Sequence, residues 1–552
     1  MSDRTRAPAA SRGGSLRRIA IFTLLLLVVG AGAALRFTGL DWDEGILLHP
    51  DERFLAWVAA DMDPVGSLRA YFDTSSSTLN PNNVGHGFYV YGNLPVVLLT
   101  YLGEAVGKTS LYSIYLPGRA LSACADLLTV VLTFLIARRL FGRRAGLLAA
   151  ALYASSALAI QHSHFFTVDT LTSLFAAGGF LFAVRALDAH RWHDYALFGL
   201  ALGLAMASKV SITPLALVLV VAVALRISQA SARLYDGSGA APSRPQRNRL
   251  IRQAVLGLAL AGAVTALVFR VAQPYAFLPP NSGVPIDQTL LGPGMSLLSR
   301  LAEPFGFRPN PEWLAQMQEI RRWVTGRVDA PPNHQWAHRP PLLFPWINMV
   351  RVGMGWPTGL FVWLALAWTL GEIARGRRGA IRLALPVMWV GLFFIWQGTG
   401  WVTTMRYFLP IYPLLYVLGG WALVTAWDRV GALVAARRAS RWHWSRVAVA
   451  GLAGFVLLSS YVWGFAVSRI YTRPTTRIAA SRWILENVPG DVTLLFETPD
   501  GARQVQLELV NDWPRAEELA DDPTQPDIQY SYLTAGVNRP LHFEMPFDGA
   551  LV

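Results

Sequence analysis

The chain has 552 residues, of which 53% are hydrophobic and only 15% charged, with a formal net charge of +13. Soluble domains carry about 25% charged residues, whereas the apolar residues here fall in blocks long enough to cross roughly 30 Å of hydrocarbon. A soluble globular fold is excluded. So is nucleic-acid binding, because the arginines lie in short loops between apolar blocks and no nucleic-acid-binding motif accompanies them.

In chain order, residues 1–18 form a basic cytoplasmic N-terminus with Arg4, Arg6, Arg12, Arg17 and Arg18, and the first span runs from about Ile19 to Ala34. The apolar run is long for a signal-peptide core, so it reads as a retained helix. Further spans are expected near 120–137, 146–161, 168–184, 195–208, 211–225, 253–271, 346–370, 383–397, 407–426 and 447–467, about eleven in all. Segment 88–107 is the ambiguous one. If it lies on the outer surface as an interfacial amphipathic helix, every strongly basic loop falls on one side: the N-terminus, Arg138 to Arg144, the loop 226–252 with its flexible stretch 229–248, Arg375 to Arg382 and Arg429 to Arg446. If it spanned, arginine would scatter to both faces, against the positive-inside rule. The expectation is an all-α polytopic protein of the inner (plasma) membrane. Its transmembrane domain covers 19–469, with outer loops 37–118 and 272–345. An extracytoplasmic tail, 470–552, is small and α/β or β, since Val492–Glu497 and Val505–Val510 alternate like short strands. The only cysteine, Cys124, lies inside an apolar span, so no disulfide framework is expected.

The residues able to do chemistry gather on the outer side. The first outer loop holds Asp41-Trp42-Asp43-Glu44 and His49-Pro50-Asp51-Glu52-Arg53. Pro50 suits a helix start, Asp51 and Glu52 suit a first turn, and Phe54, Leu55, Val58 and Ala59 give that helix an apolar face. The next outer turn reads Gln161-His162-Ser163-His164-Phe165-Phe166-Thr167-Val168-Asp169. Asp169 either caps the following helix or serves the site. A divalent ion shared by His162 and His164 with Asp51 or Glu52 is conceivable chemically, though no ligand spacing specifies one. Lys209 interrupts two apolar halves at an outer turn, where an ionisable side chain either snorkels to the interface or works in a site. Arg270 and Arg406 offer further cationic charge for a phosphate. Tyr89, Tyr91, His164 and Trp336 offer rings for a sugar.

Taken in order, Leu35-Arg36, Asp51-Glu52, Gly118-Arg119, Leu140-Phe141-Gly142, His164-Phe165 through Asp169, Ser208-Lys209 and Arg406-Tyr407-Phe408-Leu409-Pro410 resemble the polyprenyl-phosphate-sugar-dependent glycosyltransferases of the GT-C fold. The protein O-mannosyltransferases and aminoarabinose transferases of glycosyltransferase family 39 are the nearest types. The resemblance covers about 20–470. It implies a glycosyltransferase that moves a hexosyl or pentosyl group from a polyprenyl-phosphate donor to a protein, lipid or glycan acceptor at the extracytoplasmic face. It carries to Asp51, with Glu52 beside it, the role of general base or of a metal ligand near the acceptor, a second acid to Asp169, and donor-phosphate contacts to Lys209 and Arg406. It leaves open the sugar, the acceptor and any divalent metal. A transporter or flippase of lipid-linked sugars and a non-catalytic membrane scaffold are the rival readings. The first would be expected to show two related halves around a midplane site, and no such symmetry is visible. The second leaves Asp51, Asp169 and Lys209 without a joint purpose.

Overall fold

The computed structural model describes residues 11–232, 244–278, 306–329, 331–376, 381–437 and 443–487, together with the segments 492–498, 501–507, 509–510 and 533–534. The helices are α1 (Ser11–Phe37), α2 (Pro50–Asp61), α3 (Leu68–Phe72), α4 (Asn93–Ala105), α5 (Leu111–Phe141), α6 (Arg143–Ala154), α7 (Ala157–Ser163) and α8 (Val168–Asp188). They continue with α9 (Trp192–Ser208), α10 (Ala216–Ala232), α11 (Arg244–Ala272), α12 (Pro311–Val324), α13 (Trp356–Ala374), α14 (Ile381–Gly398), α15 (Tyr412–Arg437) and α16 (His443–Ser468). Among the described residues nine helical stretches are long and apolar enough to cross a membrane, or ten if the bent pair α6–α7 is one span. The 17-residue α9 packs between α8 and α11. Its Gly199 and Gly203 let the α11 backbone approach so closely that a Cβ at Gly199 would lie 2.5 Å from the Ala261 carbonyl oxygen, the small-residue packing typical of helices in lipid.

Segment 88–107 yields only the 13-residue α4, too short to span. It packs on α2 and α5. With Leu55, Val58, Leu79, Val96, Leu99, Tyr115 and Phe166 it forms a second apolar core distinct from that of the main bundle. The first loop is therefore a folded cap on one end of the bundle, called here the cap end. The other end carries Arg138, Arg139, Arg143 and Arg144.

Three expected spans are built differently from uniform helices. The 146–161 run breaks between α6 and α7 with a bend of 57°. The 346–370 run divides into a short helix Leu343–Asn348, a wide turn Met349–Gly353 and then α13, because Gly355 takes a left-handed φ of +77° against the Trp463 ring. The 407–426 run starts as a 3-10 segment, Met405–Ile411, before α15. In the tail, Val492–Thr498 pairs antiparallel with Gly501–Leu507, so the second strand begins earlier than the alternation in 505–510 suggested; Leu509–Val510 pairs instead with Leu533–Thr534.

The α6–α7 break exposes a helix end inside the bundle, and the sequence supplies its partner. Arg36, at the end of α1, donates Nη1 to the Ala154 carbonyl at 2.6 Å, and its Nε pairs with Asp126 of α5 at 2.6 Å. Tyr153 completes the group by donating its hydroxyl to the other Asp126 oxygen at 2.5 Å. Both charged side chains are fully buried. An ion pair this deep is costly to form but far costlier to break, since removing one partner strands the other charge. Asp126→Asn should lower the stability of the detergent-solubilised protein by about 3 kcal/mol or more. A double variant, Arg36→Met with Asp126→Leu, should recover much of that loss in thermal unfolding.

Candidate active site at the cap end

The site begins with the local logic of α2. Pro50 occupies the first helical turn, where its missing N–H costs nothing, and the His49 imidazole accepts from the Glu52 amide through Nδ1 at 3.3 Å as the cap. Asp51 and Glu52 follow each other on a helix, about 100° apart, so they face different neighbours. Glu52 turns inward and is fully buried: both oxygens take the Arg119 guanidinium, at 2.8 and 2.7 Å, and one also accepts from the Phe166 amide at 2.8 Å. Arg119 further contacts Asp43 at 2.9 Å, donates to the Leu40 carbonyl at 2.6 Å and lies between the Trp42 and Tyr115 rings. Glu52 is thus spent on architecture, and so is Asp43.

Asp51 turns the other way, half-exposed. One oxygen meets the Arg406 guanidinium and the other accepts from the Tyr91 hydroxyl at 3.1 Å. Asp169, in the first turn of α8, accepts from Lys209 Nζ at 2.7 Å. Lys209 ends α9 and hangs 4.0 Å above the centre of the Tyr407 ring, and the Arg406 guanidinium lies 5.6 Å from the same ring. Residues far apart in sequence, Asp51, Tyr91, Asp169, Lys209 and Arg406, thereby form one group around Tyr407. Gly92 holds it tight. Its amide donates to the Ser208 carbonyl at 3.1 Å, and a Cβ there would fall 1.9 Å from the Ala207 carbonyl oxygen.

The other expected participants are engaged differently or lie beside the group rather than in it. Both His164 nitrogens face main-chain carbonyls, Ile160 at 2.8 Å and Thr38 at 3.0 Å, and the ring stacks on Tyr471, so neither nitrogen is left for a metal or a sugar. His162 is buried, with Nδ1 lacking a partner among the described residues. With Glu52 bound to Arg119, the proposed ligand set of Asp51, Glu52, His162 and His164 does not assemble. Among the described residues no group of three or more histidine, cysteine or acidic side chains is placed to hold a metal ion. Tyr89 is buried, donating to the Gly92 carbonyl at 2.9 Å. Arg270 donates to the Gly306 carbonyl at 2.8 Å between the Phe72 and Phe277 rings, which ties α11 to the second loop. Trp336 stands edge-on to Phe344 in that same loop.

Sequence reading gave Arg119, Tyr407 and His49 no chemical role. Arg119 had a signal, a guanidinium well inside an apolar helix, which demands a buried counter-charge. Tyr407 had none, since one aromatic among 64 does not stand out.

The chain's likeness to known proteins agrees with this architecture. Residues 98–235 match the family model described as dolichyl-phosphate-mannose-protein mannosyltransferase. No curated protein matches the chain in sequence. Among solved structures, the archaeal oligosaccharyltransferase AglB from Archaeoglobus fulgidus, in complex with an inhibitory peptide and a dolichol-phosphate, superimposes with a TM-score of 0.52 at 16% identity. That match covers 86% of this chain and 58% of AglB. The apo form of the Archaeoglobus fulgidus oligosaccharyltransferase gives a TM-score of 0.50 at 14% identity over 85% of this chain and 58% of that one. ArnT from Cupriavidus metallidurans bound to undecaprenyl phosphate scores 0.46 at 16% identity, covering 85% of this chain and 81% of its own. The fold is the GT-C fold of membrane glycosyltransferases, as the order of motifs implied. The chain spans 58% of the oligosaccharyltransferase's length.

Thermal unfolding separates the two acids and reports on His49. Glu52→Gln should lower stability in thermal unfolding by about 3 kcal/mol, because it takes one of two buried carboxylates from Arg119 and leaves Asp43 as its remaining counter-charge, while Asp51→Asn should change it far less. Burial, reinforced by Arg406, holds the His49 imidazole down from 6.5 to about 4. The folded state therefore prefers neutral His49. That contribution is complete above about pH 6.5 and is lost as pH falls toward 4, while the unfolded chain takes up its proton first. His49→Asn, which keeps a capping side chain, should show a shallower loss of melting temperature across that interval than wild type.

Proposed function

We propose that this protein is a membrane glycosyltransferase that takes a sugar from a polyprenyl-phosphate donor and passes it to a hydroxyl-bearing acceptor at the extracytoplasmic face. The observation that carries the reading is the meeting of two carboxylate–cation pairs, Asp51–Arg406 and Asp169–Lys209, around Tyr407. The match of 98–235 to a dolichyl-phosphate-mannose-dependent family model supports it, as does the dolichol-phosphate held by the oligosaccharyltransferase that shares the fold.

The chemistry follows from exchanging partners. A phosphate entering the group competes with the two carboxylates for Arg406 and Lys209, and draws at least one cation toward itself. Asp51, released from Arg406, becomes a base for the acceptor hydroxyl. As that oxygen bonds to the anomeric carbon, the bond from carbon to the phosphate oxygen breaks. The hydroxyl proton passes to Asp51, the electron pair leaves with the lipid phosphate, and its negative charge is met by Lys209 and Arg406. Asp169 positions Lys209 through their hydrogen bond. An apolar cavity of about 470 Å³ between α9, α10 and α11, lined by Met206, Thr213, Leu258, Phe269 and Phe277, lies within a turn of Lys209 and suits an isoprenoid tail.

Membranes carrying wild type or Asp51→Asn, supplied with radiolabelled polyprenyl-phosphate sugars, test the reading. Loss of a general base should slow transfer by about 10²–10⁴, with the protein still folded. Lys209→Ala should act mainly by raising the donor concentration needed for half-maximal rate. Undiminished transfer by Asp51→Asn removes the base assignment. Absence of transfer by wild type from every donor removes the glycosyltransferase reading itself.

A further inference from the structure

The end of the bundle opposite Asp51 carries a second concave site, unrelated to the transfer group. The final turns of α5 and α8 and the first turn of α14 enclose a cavity of about 440 Å³. Its rim is Arg138, Arg139, Arg185 and Arg382 with Asp188, and Leu135 and Leu181 line its apolar part. Asp188 pairs with Arg139 at 2.7 Å and lies 3.6 Å from Arg382. Arg185 is taken by the buried Asp194 at 2.6 Å. Arg138 rests over the Phe134 ring and has no carboxylate partner among the described residues. Four guanidiniums against the two carboxylates Asp188 and Asp194 leave two positive charges in excess within one pocket.

Arginines in the last turn of a helix are ordinary, since they offset the helix dipole. That explanation covers Arg138, Arg139 and Arg185. It does not cover Arg382, which opens α14, where the dipole disfavours a cation. Nor does it explain why arginines from three helices converge on one hollow. Convergent guanidinium forks over an apolar wall match a phosphodiester whose chains run down that wall.

We propose that this pocket binds the headgroup of an anionic phospholipid from the leaflet at the arginine-rich end, with acyl chains along Leu135 and Leu181. The two excess charges favour a lipid with two phosphodiesters over one with a single phosphodiester. The site needs no part of the transfer chemistry, so it stands whether or not the glycosyltransferase reading does.

The test is thermal unfolding of the detergent-solubilised full chain, titrated with tetraoleoyl cardiolipin, dioleoyl phosphatidylglycerol, dioleoyl phosphatidylcholine or inorganic phosphate. Cardiolipin should raise the melting temperature at the lowest concentration, phosphatidylglycerol at a higher one, and phosphatidylcholine not at all. Arg138→Gln and Arg382→Gln should each weaken the cardiolipin response about tenfold. Arg143→Gln, at the same end but outside the cavity, should not. Should either pocket variant fail to fold, the wild-type response must still fade as salt rises from about 0.05 to 0.5 M, because screening shortens the reach of the rim charges. Equal stabilisation by phosphatidylcholine, a salt-independent response or equal weakening by Arg143→Gln overturns the proposal. Full reproduction of the effect by inorganic phosphate also does so, by showing an anion site with no lipid component.

Discussion

The Arg119 guanidinium is the constraint on which the cap depends. It sits on α5, yet four of its five known contacts belong to the first loop: Glu52, Asp43, the Leu40 carbonyl and the Trp42 ring. A cation placed inside an apolar helix must recruit counter-charges, and here they come from a segment about seventy residues earlier. Satisfying Arg119 fixes where α2 begins, and helix geometry then decides where Asp51 points. Glu52 also accepts the Phe166 amide, so the turn leading to Asp169 is registered against the same carboxylate. One buried charge aligns two chain segments whose acids would otherwise be independent.

The free protein keeps its cations partly neutralised. Lys209 and Arg406 each hold a carboxylate before any ligand arrives. An unpaired lysine or arginine near hydrocarbon would pay a large desolvation cost. Pairing lowers that cost while leaving each charge available to a stronger, multiply charged competitor.

Much of this was legible in the sequence. Hydropathy placed the long helices, and the charge distribution separated 88–107 from them; the structure makes its helix too short to span. Pro50 marked the start of α2. Asp51, Asp169, Lys209 and Arg406 stood out as ionisable groups beside apolar runs, and the structure brings them together. What could not be read were the choices set by distant contacts. Nothing local distinguishes Asp51 from Glu52; the distinction arises from Arg119 on one side and Arg406 on the other. His164 was a possible ligand with no spacing to specify one, and the fold places it between two main-chain carbonyls. The break after Ala154 falls at Ser155-Ser156, a polar pair short enough to pass within an apolar run, and its compensation comes from Arg36, over a hundred residues away.

Gly92 has a consequence for motion. With the Ala207 carbonyl pressed against its α-carbon and its amide on Ser208, the stretch carrying Tyr91 cannot slide past the end of α9. Tyr91 holds Asp51, and the next residue after Ser208 is Lys209. A displacement of the cap loop is therefore transmitted through a backbone-to-backbone contact, without any flexible side chain to absorb it. The stretch that holds Asp51 and the helix end that carries Lys209 are geared together.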